Sequence, residues 1–426
     1  MTASPQLQPG RVNEPGPGPE PALGLGAAAA LIASTALSDT PVGRVGVEIE
    51  GHVFATADLQ RAVEVRALED LLQDWPRLPG GGRLSVEPGG QLEVSSACAE
   101  SAAAALAATR ADVAAVRSWL ARRGLAWVLV GADPVRPPCL VNRAPRYAGM
   151  RDWFAAPFSG SDATDATTMM CSTAALQVNL DAGPPSQWRR RVDRAQRLAP
   201  VLTALTGSST YLRGADSGWW SARQRAWSGL DVLTSGPLPA TGDPAQEWTE
   251  RALDAPVMLL PSPTGLRGAP RRRSLREWLE DQDDWPPATA GDVRRHLTTL
   301  FPPVRLRGWL ELRCMDSVPD AWWPAVVAAV AAWMDDPEVD EPVATALSRG
   351  SSTLATAARS GVGDPQLRSL TDALLTLAVP QVPADVRPGV AALAELVRSG
   401  RTPGSVLAAD MRRLGPAAVV EELIHA

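Results

Sequence analysis

The sequence predicts an α+β fold built on a mainly antiparallel sheet with surrounding helices. Three observations point to it. Segments with the two-residue alternation of half-buried strands recur near residues 45–53, 84–95, 174–180 and 309–315. The stretches between them hold few of the regular strand–helix–strand units that build parallel sheets. Beyond Asp320 the pattern is almost wholly that of Ala-rich amphipathic helices.

The elements follow in order. Residues 1–22 are dense in Pro and Gly and poor in large apolar side chains, so we expect a disordered tail. Residues 23–37 are small and apolar. No basic run precedes them and they are too short to span a bilayer, so they read as a buried helix rather than a secretory leader. Val45, Val47, Ile49 and Val53 alternate with Gly46, Glu48, Glu50 and His52, which makes a strand. Residues 55–75 read as a helical connection. Leu84–Ser95 gives two strands around Pro88-Gly89-Gly90. A helix over 98–123 stops at Gly124, and a strand at Ala126–Val130 follows. Ala174–Leu180 is a strand and 187–206 a helix. Ser274 and Glu277 form a capping box that opens a short helix. Trp309–Met315 is the last strand, and helices are expected at 321–334, 342–359, 365–377 and 385–398. The 426 residues leave room for several domains, but without repeats or obvious linkers we expect one domain over 23–426. Within it, 321–426 would form a helical C-terminal layer. No stretch reaches the ~18 continuous apolar residues of a transmembrane helix.

Composition narrows the chemistry. The 41 basic residues are all Arg, against 47 Asp and Glu, for a net charge of −6. That argues against a general nucleic-acid or anionic-membrane binder. The absence of Lys excludes a P-loop and Schiff-base chemistry. Three His exclude a His-rich metal site. Cys98, Cys139, Cys171 and Cys314 show no C-x-x-C spacing, which fits reduced thiols and a cytoplasmic location.

The polar faces of the strands carry the functional signal, because residues i and i+2 share a face. Glu48, Glu50 and His52 lie together; so do Gln91, Glu93 and Ser95; Gln177, Asn179 and Asp181; and Trp309, Glu311 and Arg313. A solvated face would mix longer neutralising partners with the acids. Here acids dominate, and carboxylates grouped this way become tolerable around a divalent cation. Oxygen donors with little His or Cys suit Mg²⁺ or Mn²⁺ rather than zinc. His52 and His296 read as structural, Cys314 as an inert core thiol, and Arg271–Arg273 as a solvated loop run.

At these same residues the sequence resembles the glutamate–cysteine ligases, closest to the plant-type and actinobacterial branch that makes γ-glutamylcysteine for ergothioneine. The matching stretches are Gly46–Glu50, Val86–Ser96, Arg146–Arg151, Ser172–Asp181, Arg223–Trp227, His296–Pro302 and Trp309–Asp316, in family order. One departure is Cys171, where the plant-type enzymes carry Arg. The resemblance implies a glutamine-synthetase-like curved antiparallel sheet and a single catalytic domain. It implies ligation of the glutamate γ-carboxylate to the amine of L-cysteine, driven by ATP through a γ-glutamyl phosphate. ATP and Mg²⁺ (or Mn²⁺) are the implied cofactors, and glutamate, cysteine and ATP the partners. Glu48, Glu50, Glu87, Glu93, Gln177 and Glu311 are the implied metal ligands. Arg313 is the first choice to stabilise the transferred phosphoryl group. Arg223, Arg225, Arg146, Arg151 and Asn179 are expected to bind substrate. Two alternatives stay open on the residues alone: a related ligase with another amine acceptor, and an inactive binding relative. Oligomeric state leaves no legible mark.

Overall fold

Seven strands pair into one sheet in the computed structural model, which describes residues 20–64, 75, 77–239, 241–281, 285–350 and 352–425. In chain order they are β1 (Val45–Ala55), β2 (Arg83–Val86), β3 (Leu92–Ser95), β4 (Leu125–Val128) and β5 (Ala175–Asp181). Two short ribbons follow, β6 (Tyr211–Leu212) with β7 (Ala215–Asp216) and β8 (Leu259–Ser262) with β9 (Gly265–Gly268). Strands β10 (Val304–Leu306) and β11 (Trp309–Asp316) complete the sheet. The order is β10-β11-β5-β1-β3-β2, with β4 paired to the far half of β1. All these pairings are antiparallel, as the alternation predicts. A register shift between Leu312 and Met315 interrupts β11, a device that bends and twists a strand.

The apolar face holds Val45, Val47, Ile49, Leu92, Val94, Leu176, Val178, Leu180, Leu310 and Leu312, each at most 1% exposed. Each such side chain contributes ~1.5–3 kcal/mol by leaving water. The helices Trp188–Thr206 and Trp323–Asp335 cover this face. Every residue from Trp323 to Met334 is buried, the signature of a helix enclosed on all sides. It lies between the sheet and the helices Ala102–Ala121, Pro365–Ala378 and Arg387–Arg398.

The helix expected at the start is Leu25–Ala36, and it buries Ala28, Ile32 and Ala36 at one-turn spacing. The chain is already anchored before it: Glu20 accepts the Gly291 N–H and Leu23 N–H donates to Ala288. Of the tail expected over 1–22, Glu20 is thus anchored and residues 1–19 lie outside the described residues; of the helical connection expected over 55–75, Ala55 ends β1 and 56–64 form turns rather than a helix, while 65–74 lie outside the described residues. Three further expectations need correction. The helix expected over 342–359 is two, Asp340–Ser348 and Leu354–Ser360, separated near Gly350. Two further helices, Pro403–Leu414 and Pro416–His425, escaped the reading. The C-terminal region is not one layer either: Val420, Leu407 and Leu423 pack on Phe54, Val128, Val130 and Val135 beside β4, away from the helices that cover the sheet.

Candidate active site

The strand registers turn local alternation into one acidic surface. Glu50 lies opposite Glu93 across β1 and β3, and Glu48 lies between Ser95 and Gln177. Asn179 lies opposite Glu311, which in turn faces Arg305 on β10. Directly paired residues share a face, so a slip of one residue would send every carboxylate into the core. Glu87 joins them from the β2–β3 turn. Its N–H donates to Gln91 O (2.8 Å) and its carbonyl accepts from Gly90 N (3.0 Å). Gly90 has φ +85°, which favours glycine, and a Cβ on Gly89 would lie 2.2 Å from the Cys171 carbonyl oxygen. The buried Gln91 amide pins the turn by donating to Thr173 O (2.8 Å) and accepting from Gly89 N (2.9 Å).

Glu48, Glu50, Glu87, Gln91, Glu93, Gln177, Asn179 and Arg305 line one cavity of about 740 Å³, while Glu311 is fully buried behind its wall. Glu48, Glu50, Glu87 and Glu93 sit deep in it, partly wetted yet surrounded by protein. Burial first, then Glu93 and Glu311, push Glu48 up to about 8. Burial and Glu50 push Glu93 up to about 7. Burial likewise raises Glu50 and Glu87. Four crowded carboxylates whose ionisation is resisted by one another are the donor chemistry that a hard divalent cation relieves. On that ground these residues fit the implied Mg²⁺ or Mn²⁺. Among the described residues, however, no three acidic, His or Cys side chains are already drawn together around an ion position.

Glu311 differs from the other four. Its Oε1 accepts from Arg305 Nη2 (3.0 Å) and Arg307 Nη1 (3.1 Å), and its Oε2 from Arg305 Nε and Arg313 Nη1 (3.1 Å). These guanidiniums outweigh burial and hold its carboxyl far below the usual range. Burial and the neighbouring Arg313 lower Arg305 to about 10. Arg313 also donates to Gln177 Oε1 (2.6 Å), and Gln177 Nε2 donates to Glu50 (3.1 Å). Two of the expected metal ligands, Glu311 and Gln177, thus give oxygens to arginine.

The structure sorts the remaining arginines. Arg223 is 2% exposed and borders the cavity; its Nη2 donates to the Arg313 carbonyl (2.8 Å), and Nη1 has no partner among the described residues. Arg146 borders the cavity and donates to Thr298. Arg225 and Arg151 are corrections. Arg225 pairs with Asp165 and packs over Trp219, and Arg151 forms an exposed pair with Asp152. Neither lines the cavity. A helix presents successive side chains about 100° apart, so Arg223 and Arg225 cannot face the same way. Asn179 lines the cavity but spends its amide on Glu48 (3.1 Å) and the Trp309 indole (2.9 Å). The Arg271–Arg273 run is not simply solvated: Arg273 is buried and donates to Glu277 O, and Arg272 pairs with Asp231. His52, His296 and Cys314 are buried, and none lines the cavity.

Four residues of the site escaped the sequence reading. Arg305 and Arg307 alternate with Val304 and Leu306, a two-residue signal that was there to be read. Arg44, one step before the first strand residue, pairs with Asp181 at the cavity mouth (2.6 Å). Asp316 is fully buried. Its Oδ2 accepts from the N–H groups of Ser208 and Ser209 and from Ser209 Oγ, and its Oδ1 from Ser221 Oγ (2.8 Å). Ser221 caps the helix Ala222–Ser228, so Asp316 ties the end of β11 to the helix that presents Arg223.

A family model described as glutamate–cysteine ligase family 2 matches residues 44–422. The chain is 41% identical over 413 residues to the glutamate–cysteine ligase EgtA of Mycolicibacterium smegmatis, covering 93% of each. It is 28% identical over 321 residues to the chloroplastic glutamate–cysteine ligase A of Oryza sativa subsp. indica, covering 68% of this chain and 62% of the relative. A solved glutamate–cysteine ligase from Francisella tularensis, in complex with AMP, has a TM-score of 0.48 at 10% identity, covering 91% of this chain and 88% of that one.

Proposed function

Because the chain belongs to glutamate–cysteine ligase family 2, we propose that it joins the γ-carboxylate of L-glutamate to the amine of L-cysteine with ATP, giving γ-glutamylcysteine for ergothioneine synthesis. The observation that carries the reading is the register: it puts Glu48, Glu50 and Glu93 on one cavity wall with Arg313 beside them.

A carboxylate is a poor electrophile. A γ-carboxylate oxygen of glutamate therefore attacks the γ-phosphorus of ATP, ADP leaves, and a γ-glutamyl phosphate forms. The cysteine amine then attacks the acyl carbon, losing a proton, and inorganic phosphate departs with its electron pair. Glu48, Glu50, Glu87 and Glu93 are the residues that would hold Mg²⁺ or Mn²⁺, with the second lone pair of the Gln177 carbonyl available to help. The cation supplies charge neutralisation at phosphoryl oxygens. Arg313 is anchored by Gln177 and Glu311 and points its remaining N–H groups to the transferred phosphoryl group. The unpartnered Nη1 of Arg223 and the guanidinium of Arg146 supply cationic edges for a substrate carboxylate. Asn179 holds Glu48 in place.

ADP release tests the reading. Turnover that requires glutamate and cysteine supports it, turnover with glutamate and a different amine would move the acceptor, and no nucleotide turnover at all would leave only a binding relative.

A further inference from the structure

Arg223 reaches the cavity from a helix of 7 residues, Ala222–Ser228. A helix that short is not stable by itself, so the direction of the guanidinium is set by what holds the first turn. The Arg223 N–H donates to Ser209 Oγ (3.0 Å) and the Gln224 N–H to Ser221 Oγ (3.0 Å). Both acceptors are hydroxyls, and a hydroxyl has one proton and two lone pairs. Each spends its proton on the same carboxylate: Ser209 Oγ donates to Asp316 Oδ2 (2.6 Å) and Ser221 Oγ to Asp316 Oδ1 (2.8 Å). For Ser209 the alternative acceptor, Ser221 Oγ, is at 3.4 Å. With their protons committed, both hydroxyls turn lone pairs to the helix.

Asp316 is itself held. Its Oδ2 also accepts from the N–H groups of Ser208 (2.9 Å) and Ser209 (3.1 Å), and a Cβ on Gly131 would lie 2.6 Å from its side chain. It is fully buried, and neither it nor Ser208, Ser209 or Ser221 borders the cavity. These bonds are therefore out of reach of any ligand that enters the cavity. Burial disfavours the Arg223 cation, and Asp316 is the first of the neighbouring charges that favour it. Burial likewise raises Asp316, against Arg223 and the Ser208, Ser209 and Ser221 donors. At its other end Arg223 rests Nη2 on the Arg313 carbonyl (2.8 Å), on the same strand as Asp316.

We propose that Asp316 is a positioning residue for Arg223: it holds the protons of Ser209 and Ser221, makes both hydroxyls acceptors for the first turn of the helix, and so fixes how the guanidinium meets a substrate carboxylate. The inference rests on the ligase reading above, in which Arg223 grips that carboxylate. Asp316 touches no substrate and acts only through the helix.

Asp316→Asn tests it with almost no change of shape. The amide oxygen replaces Oδ2, and Nδ2 then donates to Ser221 Oγ where Oδ1 accepted. The Ser221 proton loses its partner, and its lone pair is drawn from the Gln224 N–H. In a crystal structure of the variant the Arg223 guanidinium should move by about 0.5 Å or more. The kcat/KM for glutamate or for cysteine should fall by about tenfold to a hundredfold, while the KM for ATP stays within about twofold of wild type. An Arg223 that keeps its place overturns the role, and so does a kcat/KM within about twofold of wild type for both amino acids. Ser274→Ala removes a cap of the same kind from the helix Leu275–Glu280, which does not line the cavity. It should keep every kcat/KM within about twofold, and a loss equal to that of Asp316→Asn would make the effect one of lost caps in general and overturn the specific role. Should Asp316→Asn fail to fold, Ser221→Ala carries the same measurements and the same outcomes decide. The crystal structure needs no substrate, so the two readings fail separately. A wild-type chain that releases no ADP with any amine sinks the ligase reading, while the place of Arg223 in the variant still decides whether Asp316 positions it.

Discussion

Arg313 donates to both Gln177 and Glu311, so its guanidinium is held at two points while the rest of its fork stays available. Lys keeps the charge but not the fork. Arg313→Lys should lower kcat by roughly a hundredfold, about the ~3 kcal/mol of one transition-state contact, with little change in the glutamate KM. Steady-state kinetics checks this, and a kcat within about threefold of wild type would remove Arg313 from the phosphoryl site. The neighbouring arginines give the contrast. Arg225 and Arg151 pair at the surface with Asp165 and Asp152, and such pairs contribute ~0–1 kcal/mol. Arg225→Ala and Arg151→Ala should keep kcat and every KM within about twofold, whereas Arg223→Ala, which removes a buried cation at the cavity wall, should cost turnover heavily. If Arg225→Ala matched Arg223→Ala in its loss, the placement of that helix would be wrong.

At the level of elements, the β2–β3 turn delivers Glu87 through a close backbone contact. A methyl on Gly89 would meet the Cys171 carbonyl at 2.2 Å, and a backbone carbonyl cannot step aside as a flexible side chain can. Gly89→Ala should therefore cost ~1–3 kcal/mol of stability and weaken Mn²⁺ binding as Glu87 moves. Denaturant melts and a metal titration on the same sample read both effects; an Ala variant with wild-type stability and metal affinity would show that the turn is not the fixed element described. The N-terminal helix is a second such element. Removing residues 1–36 strips Ala28, Ile32 and Ala36 from the core and breaks the Gly308 N–H bond to Ala36 O at the β10–β11 hairpin, beside Arg307. That deletion should abolish folding or turnover, while removal of 1–19 stops short of Glu20, the first residue seen to be anchored, and should leave the melting temperature within about 1 °C. Circular dichroism melts of the two deletions test the boundary.

For the molecule as a whole, two sets of buried groups set the pH dependence in opposite directions. Glu48 and Glu93 are raised to about 8 and about 7 in the fold. Their contribution to stability is full below the unfolded carboxylate value and is lost as pH rises through 7–8. His52 and His296 are lowered to about 4 by burial. The unfolded chain protonates them first, so stability falls as pH drops from the ordinary His range toward 4. The metal-free chain should be most stable in mildly acidic solution between these windows. Mg²⁺ neutralises the carboxylate cluster, so at a hundredfold excess over its Kd it should raise the melting temperature by several degrees at alkaline pH, on the order of 3–5 °C. At pH ~5, where the carboxylates hold protons that the cation must displace, the gain should be much smaller. Equal gains at both pH values would show that the cation binds elsewhere.

The sequence by itself determined which side of each strand faces water and which faces the core. Alternation is a property of neighbouring residues, and burying one face forces it. Hence Glu48, Glu50, Glu93, Gln177, Asn179, Glu311 and Arg313 were legible as one polar surface, and the Pro88-Gly89-Gly90 turn was legible as the carrier of Glu87. The order β10-β11-β5-β1-β3-β2 was not, because it brings together strands more than a hundred residues apart. Nor was the partition of the arginines. A guanidinium sits at the end of a long flexible stem, so where it points depends on which carboxylate or carbonyl the fold brings within reach. Arg225 goes to Asp165 and Arg151 to Asp152, while Arg305 and Arg307 turn in to Glu311. Only the tertiary structure decided that: packing of two helices brings Asp165 to Arg225, the β10–β11 register sets Arg305 opposite Glu311, and Arg151 falls to its chain neighbour Asp152 because the fold leaves it exposed and away from the cavity.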